Sequence, residues 1–128
     1  MDHLSAAQVE ELRSLLEHER STVRERFEQL DEQTKGLVQD PGDQQDHATV
    51  ETQIRELRDL SERDLLRLKE LDDALARMAD GTYGLCDDTG EPIPFGRLKL
   101  QPTTRYTVEA QEAIEAERAE NPEGDLAY

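Results

Sequence analysis

The 128-residue chain carries 31 acidic and 15 basic side chains, a net charge of −16, which excludes electrostatic capture of DNA or RNA as the first reading. Only 4% of residues are aromatic and 36% are charged, so the composition excludes one large core and favours long helices over disorder. No apolar run approaches the roughly 20 residues of a membrane span. No apolar signal region opens the chain, and its one cysteine rules out an internal disulfide, so a cytoplasmic protein is expected.

In chain order, Ser5-Ala6-Ala7-Gln8 has the form of a capping box and predicts a helix from Ala6. Val9, Leu12, Leu16, Val23, Phe27, Leu30 and Leu37 recur at steps of three, four and their multiples, as a coiled-coil seam requires. Asp40-Pro41-Gly42 breaks the helix. A second helix is expected from His47, with Asp43 or Asp46 as its N-cap. Its predicted seam is Val50, Ile54, Leu57, Ser61, Leu65, Leu68, Leu71, Leu75 and Met78, with Ser61 as a weak point. Asp80-Gly81 should end it, with Gly81 left-handed. Helices this polar are marginal alone, so an antiparallel hairpin over 1–80 is expected, its tip near 40–48 carrying Asp40, Asp43 and Asp46. Periodicity alone leaves open a coiled coil that merely dimerises.

Beyond Gly81 the chain is rich in turn residues. Arg97-Leu98-Lys99-Leu100 reads as a short strand, and a last helix is expected over Val108–Glu120, ended by Asn121-Pro122. The tail 121–128 is expected to be flexible. The fold class is thus mainly α: a long helical hairpin, a small head over 81–120 with a C-terminal helix, and a tail. Tyr83, Leu85, Cys86, Ile93, Phe95, Leu98, Leu100, Tyr106, Val108 and Ile114 are the expected head core. No nucleophile–base pair, phosphate loop or metal cluster is legible, so an enzyme is not expected.

The head carries a recognisable framework. Tyr83-Gly84-Leu85-Cys86-Asp87-Asp88-Thr89-Gly90, Ile93, Arg97-Leu98, Pro102-Thr103 and Thr107-Val108-Glu109-Ala110-Gln111 follow one another in the order and spacing of a zinc-finger head. This segment resembles the DksA/TraR family, whose pattern is Tyr-Gly-x-Cys-x-x-Cys-Gly followed by Ile, Arg-Leu, Pro-Thr and Cys-x-x-Cys. Only Cys86 keeps a ligand; Thr89, Thr107 and Ala110 occupy the other three positions. One thiolate cannot supply a tetrahedral zinc site, so no zinc is expected. Cys86 is read as a small buried residue in preference to a redox sensor. The tip, Asp43-Gln44-Gln45-Asp46-His47-Ala48, is similar to the family's Asp-x-x-Asp-x-Ala at the same offset from the head.

The resemblance implies direct binding of bacterial RNA polymerase, not of specific DNA sequences or membranes, by a monomer. The hairpin would enter the secondary channel, with Asp43, Asp46 and Ala48 facing the active site. Arg63 matches a family arginine that would touch the channel rim; an ordinary solvated arginine is the alternative. Family cations that serve a ppGpp site are replaced here by Glu70, Gln101 and Gln111, which implies a weak or absent ppGpp response. A Gre-like transcript-cleavage factor and a purely structural coiled coil are the alternative readings.

Overall fold

The computed structural model describes residues 1–39 and 47–121. Four helices occur in order: α1 (Ala6–Gln39), α2 (His47–Asp80), α3 (Phe95–Leu100) and α4 (Val108–Glu120). Among the described residues there is no strand, only a single antiparallel bridge between Leu85 and Pro92. The chain forms two compact units, one of Leu15–Asp73 and one of Met1–Ser14 with the chain from Ala74 onward. The sequence-predicted tip residues Asp40, Asp43 and Asp46, and the tail beyond Asn121, lie outside the described residues.

The long helices begin and end where local chemistry dictates. Gln8 N–H donates to Ser5 Oγ at 3.1 Å and Ser5 N–H donates to Gln8 Oε1 at 2.9 Å, so two otherwise orphan donors at the start of α1 are satisfied reciprocally. At the end of α2, Gly81 has φ +78°, which a side chain rarely adopts. Its N–H donates to Met78 O, and Thr82 N–H donates to Arg77 O at 3.0 Å, which is a Schellman cap.

In the Leu15–Asp73 unit, α1 and α2 pair antiparallel. Glu19 receives two hydrogen bonds from Arg67, Arg20 bonds Asp72, and Arg26 bonds Asp64. As the residue number climbs along α1, its partner's number falls along α2. Leu16, Val23, Val50 and Leu71 are buried in this unit. Each such side chain stabilises the pair by about 1.5–3 kcal/mol.

The expected seam of α2 needs one correction. Leu65 is 55% exposed, and Asp64 is buried in its place at 4%. Counting 57, 61, 64, 68, 71, 75, 78 restores a strict alternation of four and three, which carries Asp64 inward and leaves Leu65 outside it. Asp64 is tolerated there because Arg26 grips it bidentately, at 2.9 and 2.7 Å. That hydrogen-bonded guanidinium holds the carboxyl below the usual carboxylate range, against the opposing effect of burial. A slip in pairing would strand a buried carboxylate, so the pair pins the register of the two helices.

The second unit contains α3 and α4 with the ends of α1 and α2. Leu4, Leu12, Ala74, Met78, Tyr83, Cys86, Ile93, Leu98 and Ala110 are buried in it. The strand expected at 97–100 is the helix α3. Arg97 and Leu98 N–H both donate to Pro94 O, and Gln101 N–H donates to Arg97 O. The Arg-Leu-Lys-Leu alternation suggests period two, but Leu98 is buried whereas Leu100 is 86% exposed. Two residues along a helix point to nearly opposite sides, so one leucine faces in and the other out. Leu100 and Val108 therefore leave the predicted core; the buried Thr107 and Ala110 enter it. The N-terminal segment is tied to this unit by His3 Nε2, 2.8 Å from Ile93 O. A Cβ at Gly84 would lie 3.2 Å from the His3 ring, so this close approach suits glycine.

Candidate functional site

Four positions that the sequence marks as degenerate metal ligands converge in the second unit. Cys86 N–H donates to Glu91 O and Cys86 O accepts from Gly90 N–H, both at 2.8 Å, which folds 86–91 into a tight knuckle. Asp87 N–H donates to Arg105 O at 2.7 Å, and the Arg105 guanidinium reaches the Asp87 carboxylate at 3.1 Å. These contacts bring the knuckle against the start of α4. Thr107 caps that helix: its Oγ1 accepts from Ala110 N–H at 3.2 Å and lies 4.0 Å from Cys86 Sγ, to which the hydroxyl donates.

This donor set does not fit zinc. It offers one thiol, two hydroxyls and a methyl group, and the Thr107 hydroxyl is already engaged with both α4 and the sulfur. Among the described residues no group of three or more His, Cys, Asp and Glu side chains is arranged to hold a metal ion. Hydrogen bonds hold the segments around this cluster together. Tyr83 O–H donates to Pro102 O at 2.7 Å, and Arg97 Nε donates to Tyr106 O at 2.8 Å, tying the loop before α4 to the rest of the unit.

Cys86 is more than an apolar filler. Burial pushes its thiol up, but hydrogen bonds from the Thr89 hydroxyl and from the Thr107, Thr89 and Asp88 backbone outweigh that and bring it down to about 7 from 9.0. A depressed pKa contributes stability that is fully present above the unfolded value and is lost as pH falls through the folded one. Stability should therefore rise between about pH 7 and pH 9. Denaturant melts of wild type and Cys86→Ala across that range check this; the variant should lose the slope.

The remaining predicted site residues are on the long helices or around α3 and α4. Ala48 lies in the first turn of α2, is exposed, and its carbonyl accepts from Thr52 Oγ1 at 2.9 Å. Arg63 is four turns further along, exposed, and among the described residues makes no ion pair. Glu70 bonds Arg67 at 2.9 Å, Gln111 donates to Glu115 at 3.0 Å, and Gln101 is exposed at the end of α3. The Asp64–Arg26 pair and the role of Thr107 as cap and thiol partner were missed from the sequence. The four–three alternation carries the signal for the former; a Thr three residues before a buried Ala at a helix start carries a weaker one for the latter.

Comparison with known proteins places this geometry. The family model described as "Prokaryotic dksA/traR C4-type zinc finger" matches residues 81–116. The solved structure of transcription factor DksA2 from Pseudomonas aeruginosa superposes with a TM-score of 0.83 at 36% identity, covering 90% of this chain and 88% of that one. The chain belongs to the DksA/TraR family. Other family-related proteins match over shorter stretches. General stress protein 16O of Bacillus subtilis is 44% identical over 70 residues, 55% of this chain and 43% of that protein. The RNA polymerase-binding transcription factor DksA of Caulobacter vibrioides is 50% identical over 48 residues, 38% of this chain and 34% of that protein. The chain thus matches less than half the length of these two curated relatives. Among the described residues no helix is long and apolar enough to cross a membrane.

Proposed function

We propose that this chain is a DksA-like, non-catalytic regulator that binds bacterial RNA polymerase through the secondary channel and modulates transcription initiation. The observation that carries this reading is the likeness to DksA2 over nine tenths of the chain, long helices included. The polymerase-binding DksA of Caulobacter supports the choice of partner. Each 34-residue helix is about 50 Å long, which suits insertion into a deep channel. Asp43, Asp46 and Ala48 act at the active site, and Arg63, exposed and without an internal ion pair, contacts the channel rim. The protein works in the cytoplasm as a monomer.

Zinc and ppGpp have no part in this proposal. A hydrogen-bonded thiol–hydroxyl cluster stands where the family places four thiolates. Elemental analysis should find far less than one zinc per chain, and a chelator should leave the melting curve unchanged; stoichiometric zinc would contradict the reading. Glu70 repels a polyphosphate, and Gln101 and Gln111 offer it no charge. Reconstituted transcription from a ribosomal promoter tests the whole: the protein should alter output equally with and without ppGpp, and should not stimulate transcript cleavage in stalled complexes. No effect on initiation, or cleavage activity, would overturn it.

A further inference from the structure

The helix pair of the Leu15–Asp73 unit is not packed evenly along its length. At one end Leu16, Val23, Asp64 and Leu71 are buried, and Arg67, Arg20 and Arg26 each reach a carboxylate on the other helix. Past Arg26 and Asp64 the packing changes. Val50 excepted, no described side chain between Arg24 and Val38 or between His47 and Arg63 is buried. Phe27, Leu30, Leu37, Ile54 and Leu57 stand at seam positions but are only half-buried.

Local chemistry weakens the same stretch. Arg24 pairs with Glu28 and Lys35 with Asp31, each within α1. The Thr34 and Thr52 hydroxyls donate to the carbonyls of Leu30 and Ala48, four residues back on the same helix, which loosens a helix slightly. Thr34 and Ser61 put hydroxyls in the seam, where apolar groups pack best. Gly36 has nothing within 4 Å of where a Cβ would stand, so no contact requires glycine there, and it weakens α1 relative to alanine. Two open grooves of about 450 and 490 Å³ flank the stretch, one against Phe27, Thr34 and Ser61, the other against Leu37, Leu57 and Leu60.

We propose that residues 27–38 and 48–63 form an arm that opens all at once while the base, residues 15–26 and 64–73, stays closed, and that the Arg26–Asp64 pair sets the limit. Opening up to the pair gives up half-buried contacts. Opening past it also breaks two charge-assisted hydrogen bonds and uncovers Val23. Helices this polar do not persist once separated, so an opened arm frees its amides. The device is a pliant arm on a fixed base. It belongs to the chain by itself and stands or falls apart from the polymerase reading.

Hydrogen exchange of the native full chain, read residue by residue by NMR, tests this. Amides of 28–38 and 52–62 should share one opening level and, after correction for intrinsic rates, exchange about 100-fold faster than those of 16–23 and 67–72, with a step at Arg26 and Asp64. Gly36→Ala should slow exchange about five-fold across the arm, its α2 side included, and leave the base unchanged. Arg26→Lys keeps the charge but loses the two-pronged grip, and should carry fast exchange past Asp64 into the base. An arm as protected as the base, exchange that falls off smoothly from the helix ends, or a Gly36→Ala effect confined to α1 would overturn the arm. Unchanged exchange in Arg26→Lys would overturn the role of the pair as its limit.

Discussion

Asp43→Asn together with Asp46→Asn is expected to abolish the transcriptional effect while leaving affinity for RNA polymerase within about 1 kcal/mol, roughly five-fold. The substitutions keep side-chain shape and remove only charge. Asn is as good an N-cap as Asp, so the start of α2 at His47 should persist and circular dichroism should not change. In the proposed complex the long helices supply the binding area, and the two carboxylates act at the end that faces the active site. Full activity in the double variant would reduce both residues to helix caps and remove the acidic-tip mechanism.

Tyr83→Ala is expected to cost about 3–5 kcal/mol and to lower the melting temperature of the unit that contains α3 and α4 by about 15 °C. Tyr83 is fully buried, its hydroxyl donates to Pro102 O, and the Arg77 guanidinium lies 5.9 Å from the ring centroid. That side chain joins the loop after α2 to the loop before α4. Tyr83→Phe isolates the hydroxyl and should cost about 1 kcal/mol. Burial also pushes the phenol up to about 12, only partly offset by Arg77. A raised pKa gives stability that is present below the unfolded value and lost as pH climbs through the folded one. The wild type should therefore lose stability from about pH 10 towards pH 12, and Tyr83→Phe should not. Thermal melts of the three proteins across that range settle the point; a Tyr83→Ala protein that melts like wild type would mean the unit has another anchor.

Boundaries were legible where a few adjacent residues decide them. Ser5 with Gln8, and Gly81 after Asp80, state their capping chemistry locally, and α1 starts and α2 ends as those residues predict. The seam was legible except between Leu57 and Leu68. There a hydrophobic count selects Leu65, and only the four–three alternation selects Asp64, whose burial depends on Arg26 from the other helix. A side chain 38 residues away is invisible to any local count. The helix α3 was misread because Arg-Leu-Lys-Leu alternates, while the groups that decide its geometry, Pro94 O and Tyr106 O, lie outside the four residues. The cluster at Cys86 could be recognised from family spacing. The Thr107 hydroxyl shared between a helix cap and a thiol required coordinates.

The central claim is that this chain binds RNA polymerase in the secondary channel. Cross-linking and equilibrium binding of purified chain to core enzyme, in competition with an authentic secondary-channel factor, tests it most directly. The account predicts one chain per polymerase, cross-links from the start of α2 near Ala48 to catalytic-centre elements, and full displacement by the competitor. Absence of binding, or binding that the competitor leaves untouched, would contradict it.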